Sequence, residues 1–215
     1  MRDLFEHSWR LVVANLAWGL TLLVILSALT LSPGGLLLLP LLAIPTSGVY
    51  RVAALIARGE RVGVADSLTV WWRFTGRSLA LGVPIASVAI VLGTNVIIGL
   101  GTGEVVGFAL AIVATWGLVA LAVSCVVLWP IVVDPWRDEL PSRDLIRLGL
   151  LMALAFPWRF LVVAVVLGVV FILTSLAVVT FLSLALGFVA LIACRYVLPA
   201  ADRFSPPPDR ASARS

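Results

Sequence analysis

Long stretches of this chain carry no charge, and each is about as long as a bilayer is thick. The first, Leu11 to Leu31, is apolar apart from Asn15 and a few hydroxyls. A helix needs about 20 such residues to cross a hydrocarbon core of ~30 Å. Comparable runs recur almost to the end of the chain. Of its 215 residues, 62% are hydrophobic and only 12% are charged; a soluble domain carries about twice that charge. The predicted class is therefore all-α, an integral membrane helical bundle. The first run is too long for the core of a secretory signal and lacks a small-residue cleavage site, so it is read as a span.

Turn residues divide the chain into six predicted transmembrane helices, at about 9–30, 36–58, 78–98, 105–133, 158–178 and 180–201. Pro40 and Pro45 are expected to kink the second. Residues 202–215 form a polar, Pro-rich tail predicted to be disordered. All basic residues are arginine, a usage that fits a GC-rich bacterial genome. None lies in the turns near Ser32, Thr102 and Val179; all fall at the N-terminus, the two long connections with their adjoining helix ends, or the C-terminus. The positive-inside rule then puts both termini in the cytoplasm of a bacterial cell, with a multi-pass chain in the cell membrane.

The two long connections each hold an amphipathic segment, giving two predicted cytosol-side helices. In the first, Gly59 is a natural helix stop, and a helical pattern resumes at Val64. Trp71 and Trp72 beside Arg73, with Arg77 following, suit the headgroup layer. An ordinary connector packed on the bundle is the competing reading. In the second, Ser142 to Phe156, Leu145, Leu148 and Met152 share a face; Trp158 and Arg159 follow as further interfacial anchors. A weak internal repeat links the two halves. GRSLALGVPI after the first segment matches WRFLVVAVVL after the second, a parallel duplication with its axis along the membrane normal.

At 1.5 Å per residue, Arg51 lies roughly 22 Å from Leu36, and Arg195 is equally deep in the sixth span. Asn15 lies roughly 9 Å from the inner end of the first. Tyr50 and Tyr196 adjoin the two arginines, and Thr46 and Ser47 lie a turn above Arg51. A polar layer open to the cytosol follows, suited to a phosphate or carboxylate. Against it stands simple snorkelling of arginine to lipid phosphates. Asp134, Asp138, Glu139 and Asp144 interleave with Arg137, Arg143 and Arg147, and are expected to form a solvated, self-neutralising loop. Gly99, Gly103 and Gly107 recur every four residues and, on a helix, would allow close packing. A phosphate-loop reading fails, because no strand precedes them.

Catalytic chemistry finds little purchase. His7 is the single histidine, and no catalytic constellation, metal-ligand spacing or cofactor motif is present. The arginines trace the membrane face and need no nucleic acid. Cys125 and Cys194 both fall in apolar spans, where an unpaired thiol is expected.

Asn15-Leu-Ala-Trp18, Ile44-Pro-Thr-Ser-Gly-Val-Tyr-Arg51, Ala57-Arg-Gly-Glu60 and Asp66 before the Trp-rich segment resemble motifs of the YesL-like family of bacterial multi-pass membrane proteins. The likeness covers about residues 5–90, and the remainder follows by hydropathy. It implies a domain without an assigned biochemical role, whose members often accompany carbohydrate-uptake systems. Two functions are carried forward. One is a non-enzymatic accessory or assembly partner, whose contacts are the lipid bilayer and other membrane protein subunits. The other is a transporter or substrate-capturing subunit with a cytosol-facing anion or lipid-headgroup site.

Overall fold

A computed structural model describes residues 2–60, 72–175 and 185–206. Among them the chain is all-helical, with no strand. Helix α1 is Arg2–Leu31. A 3₁₀ segment, Pro33–Leu42, leads into α2, Ala43–Arg58. Helices α3 (Thr75–Gly101) and α4 (Val105–Val132) form a hairpin. A short 3₁₀ turn, Pro135–Arg137, precedes α5 (Ser142–Ala155), α6 (Pro157–Ser175) and α7 (Leu186–Phe204).

Four helical stretches are long and apolar enough to cross a membrane: Trp9–Leu31, Pro33–Arg58, Thr75–Gly101 and Val105–Val132. A fifth is reached if α5 and α6 count as one broken span, but they meet at 98°. Helix α5 packs beside the second half of α4, with Gly149 against Leu128. Leu145, Gly149 and Met152 face inward, and Arg143, Asp144 and Arg147 face outward. Six spans were expected; residues 176–184, the end of the fifth and the start of the sixth, lie outside the described residues, as do Trp71, most of the first amphipathic segment and the tail beyond residue 206. Only one arm of the expected repeat can therefore be followed. Arg77 and Arg159 do occupy the same position, third in α3 and α6.

Pro40 and Pro45 do not kink one continuous α-helix. Pro40 lacks the N–H that an α-helix needs and clashes with the carbonyl four residues back; the whole stretch before Ala43 is 3₁₀ instead. Pro45 then sits in the first turn of α2, where its missing donor costs nothing. A 3₁₀ helix rises about 2.0 Å per residue, so Arg51 lies about 26 Å from Leu36 rather than 22 Å. The extra length carries Arg51 toward the charged end of the bundle. Gly59 ends α2 in the left-handed region at φ 74°. Its N–H donates to Ile56 O (3.1 Å) and that of Glu60 to Leu55 O (3.0 Å), the paired C-terminal bonds expected of a glycine stop.

The core lies where α2, α7 and the second half of α4 meet. Val49, Val52, Ala53, Val127, Ile131, Ala190, Cys194 and Val197 are fully buried there. Small residues on α2 and α7 let their backbones approach. The α3–α4 hairpin is peripheral: only 11% and 22% of its two apolar stretches are buried within the chain. The three glycines do not share one helix. Gly99 lies in the last turn of α3, Gly103 turns the chain at φ 67°, and Gly107 lies in α4. A Cβ on Gly107 would stand 2.0 Å from Thr102 Oγ1 and 2.8 Å from Gly99 O.

Gly107→Leu should therefore prise the hairpin apart at a cost of about 1–3 kcal/mol, the usual range for overpacking. Gly93→Leu, where a Cβ meets nothing within 4 Å, should be close to neutral. Thermal melts in one detergent would separate the two variants.

Candidate functional site

One end of the bundle gathers the arginine-bearing helix ends into a network that ties distant parts of the chain together. Its centre is Asp134, fully buried at the end of α4. Asp134 caps the short 3₁₀ turn, accepting from the Trp136 N–H at 3.3 Å. Its two oxygens also accept from Arg58, Nε at 3.1 Å and Nη2 at 2.6 Å, and from Arg137 Nη1. Arg58 reaches on to both oxygens of Asp202, at 2.5 and 3.0 Å. Arg137 Nη2 donates to Asp202 Oδ1 and to Ser205 O, both at 2.8 Å. Two arginines and two aspartates thus close a neutral quartet joining α2, the turn after α4 and the end of α7. The Arg58 guanidinium lies 3.8 Å from the centre of the Trp136 ring. The indole N–H of Trp136 in turn donates to Glu60 Oε1 at 2.7 Å.

A second unit adjoins it. Arg51 grips Asp138 through two parallel bonds of 2.6 Å and donates to Val133 O at 2.9 Å. The planar fork of arginine suits this bidentate geometry. Arg77 Nη2 donates to Asp138 O at 2.9 Å and Leu140 O at 2.8 Å. The buried ring of Phe74 has three guanidiniums around it: Arg51 and Arg77 at 5.4 Å and Arg73 at 5.8 Å.

The loop 134–140 was expected to be solvated, and that expectation is corrected. Asp134 and Arg137 are buried, because each brings the other a counter-charge and α2 and α7 supply the rest. Only Glu139 of the turn, and Arg143, Asp144 and Arg147 beyond it, are exposed. The sequence holds one signal for this. Arg51 and Arg58 are seven residues apart, two helical turns, and so lie on one face of α2.

The polar layer read around Arg51 and Arg195 divides three ways. Arg51 joins the network. Tyr50, Thr46 and Asn15 are used between helices, and Ser47 turns back onto its own helix. Tyr50 stacks on Trp129, ring centres 6.1 Å apart. Thr46 accepts from the Trp18 indole N–H at 3.1 Å, and Ser47 donates to Ile44 O at 2.7 Å. Asn15 Oδ1 accepts from the Gly187 N–H at 2.8 Å, in the first turn of α7. Arg195 and Tyr196 lie on the outer face of α7 and are exposed; Tyr196 meets Phe160 edge-on at 6.1 Å. Among the interfacial anchors, Trp72, Arg73, Trp158 and Arg159 are exposed, while Arg77 turns inward. A cleft of 430 Å³ opens between the start of α6 and the end of α7, lined by Arg159, Tyr196, Arg203, Phe156, Phe160 and Phe204 among others. Sequence reasoning passed over Asp202 and Arg203, which it placed at the start of a loose tail; both belong to α7. Among the described residues no group of three or more His, Cys, Asp or Glu could hold a metal ion.

Comparison with protein families, with curated proteins and with solved structures gives no match to the chain.

Removing one partner from a buried ion pair costs about 3–5 kcal/mol, because a charge is left stranded. Asp134→Ala should therefore cost about that much and lower the yield of folded protein. Asp144→Ala, at an exposed carboxylate, should change stability by less than about 0.5 kcal/mol. Acid should act through Asp202. Burial pushes its carboxyl up, but the bonds and charge of Arg58, then of Arg137, outweigh that and hold it below the usual carboxylate range. A depressed carboxylate contributes stability that is complete above its unfolded value of about 3.9 and is lost as pH falls through its folded value. The melting temperature should drop on acidification below about pH 4, and Asp202→Asn should flatten that limb.

Proposed function

We propose that this chain is a non-enzymatic integral protein of a bacterial cell membrane, multi-pass, with both termini cytoplasmic, serving as an accessory or assembly partner of a membrane system such as carbohydrate uptake. The observation that carries the reading is the division of labour between the two parts of the bundle. Arg51, Arg58 and Arg137 are held by the chain's own carboxylates, so they brace the bundle rather than face a substrate. The α3–α4 hairpin, by contrast, offers a long apolar surface: Ile97, Ile98, Val105, Val106, Phe108, Leu110, Val113 and Trp116 are all exposed. Lipid or the helices of another membrane subunit would cover such a face. The gathering of arginine-bearing helix ends at one pole supports the inward orientation of that pole. The resemblance of residues 5–90 to the YesL-like family is in keeping with a role beside an uptake system.

Mild-detergent purification of the chain from its own host tests the proposal. Another integral membrane protein should co-purify in a fixed ratio, and the chain alone in liposomes should carry no sugar or organic anion. Purification without a membrane partner, together with flux from the chain alone, would overturn it in favour of a transporter.

A further inference from the structure

The arginines of the charged pole fall into two groups. Arg51, Arg58 and Arg137 end on aspartates. Arg159 and Arg203 do not; among the described residues neither makes an ion pair, and both are exposed. They nevertheless share one cleft, of 430 Å³, at the start of α6 and the end of α7. Its remaining walls are unusual for a site that would take a small hydrated ion. Phe156 and Phe204 supply two exposed phenyl rings backed by the buried Phe160, and Tyr196 adds a half-exposed phenol. The Arg159 guanidinium lies 5.5 Å from the centre of the Phe156 ring, which keeps its stem on apolar ground while its donors remain available.

We infer that this cleft binds an anionic phospholipid at the cytosolic face, the headgroup phosphate between Arg159 and Arg203 and the glycerol and upper acyl carbons on the exposed rings of Phe156 and Phe204. Two guanidiniums can share one phosphate, and arginine is the side chain best matched to it. The start of α6 at the cleft adds the favourable end of a helix dipole. Phenyl walls give a free phosphate nothing, but they offer an acyl-bearing ligand apolar contact. The inference rests on the membrane reading proposed above and deepens it: a lipid seated here would pin α6 to the end of α7, one residue from Asp202 of the ion quartet.

The test uses the full-length protein in detergent with equimolar phosphatidylglycerol and phosphatidylcholine, read by native mass spectrometry. The wild type should carry phosphatidylglycerol in preference. One arginine near a membrane surface is worth about fivefold in binding, so R159Q/R203Q should weaken the preference by about thirtyfold. R203Q alone should weaken it about fivefold, and it serves should the double variant fail to fold. Soluble glycerol phosphate in excess should not displace the lipid; displacement would reassign the cleft to a free phosphate ester and sink the lipid proposal. An unchanged preference in the variants would also sink it. Retention of the chain in membranes washed with alkaline carbonate reports separately on the membrane reading, so loss there and loss of lipid preference are distinguishable.

Discussion

A carboxylate with no access to water must be matched by cations close at hand, or the chain will not close around it. Asp134 is that group here. Stripping an ion of water costs several kcal/mol even after the protein relaxes, and Asp134 recovers this only because Arg58 and Arg137 both reach it. Each of those arginines has donors left over, and Asp202 takes them. No member of the quartet can be placed without the others. The ends of α2, α4 and α7 are fixed together by that requirement, while the surrounding apolar contacts are far less particular about register.

The same logic explains why a residue type that looks uniform along the chain does different work at different places. Arg51 and Arg195 stand at comparable depth on neighbouring helices, yet they point to different surroundings. Arg51 meets Asp138 in a two-pronged grip, and Arg195 stays exposed. Arg77 and Arg159 hold equivalent positions in α3 and α6, but one bonds to backbone carbonyls and the other opens onto a cleft. An arginine becomes a brace where a carboxylate or an unpaired carbonyl lies within its reach, as for Arg51 and Arg77.

Away from the charged pole, packing is governed by the absence of side chains. Gly35 meets the backbone of α1, where a Cβ would stand 2.7 Å from Leu29 N. Gly82 lies against Ala43, and Gly99 against Gly107. In an apolar environment helices gain little from hydrophobicity itself, so close backbone approach and interhelical hydrogen bonds do more of the work. Asn15 to Gly187 and Trp18 to Thr46 are bonds of this second kind. The turn of the α3–α4 hairpin closes by the first kind, Gly99 against Gly107, and its outer surface stays exposed.

Much of this was legible in the residues. Helical class, the stop at Gly59, the amphipathic α5 and the segregation of arginine to one set of helix ends all follow from local pattern, because helix formation, capping and membrane partition depend on near neighbours in the chain. The route through Pro40 was half legible: the proline forbade a regular α-helix, but a long 3₁₀ stretch rather than a bend emerged only with packing. The ion network was not legible. Arg58 and Asp202 are 144 residues apart, and Arg51 and Asp138 are 87 apart. Which carboxylate an arginine finds depends on which helices become neighbours, and an apolar run does not encode its neighbour. The sequence alone therefore set where charge could reside, whereas the tertiary structure chose the partners, since a Coulombic bond acts over a few ångströms of space regardless of the chain between.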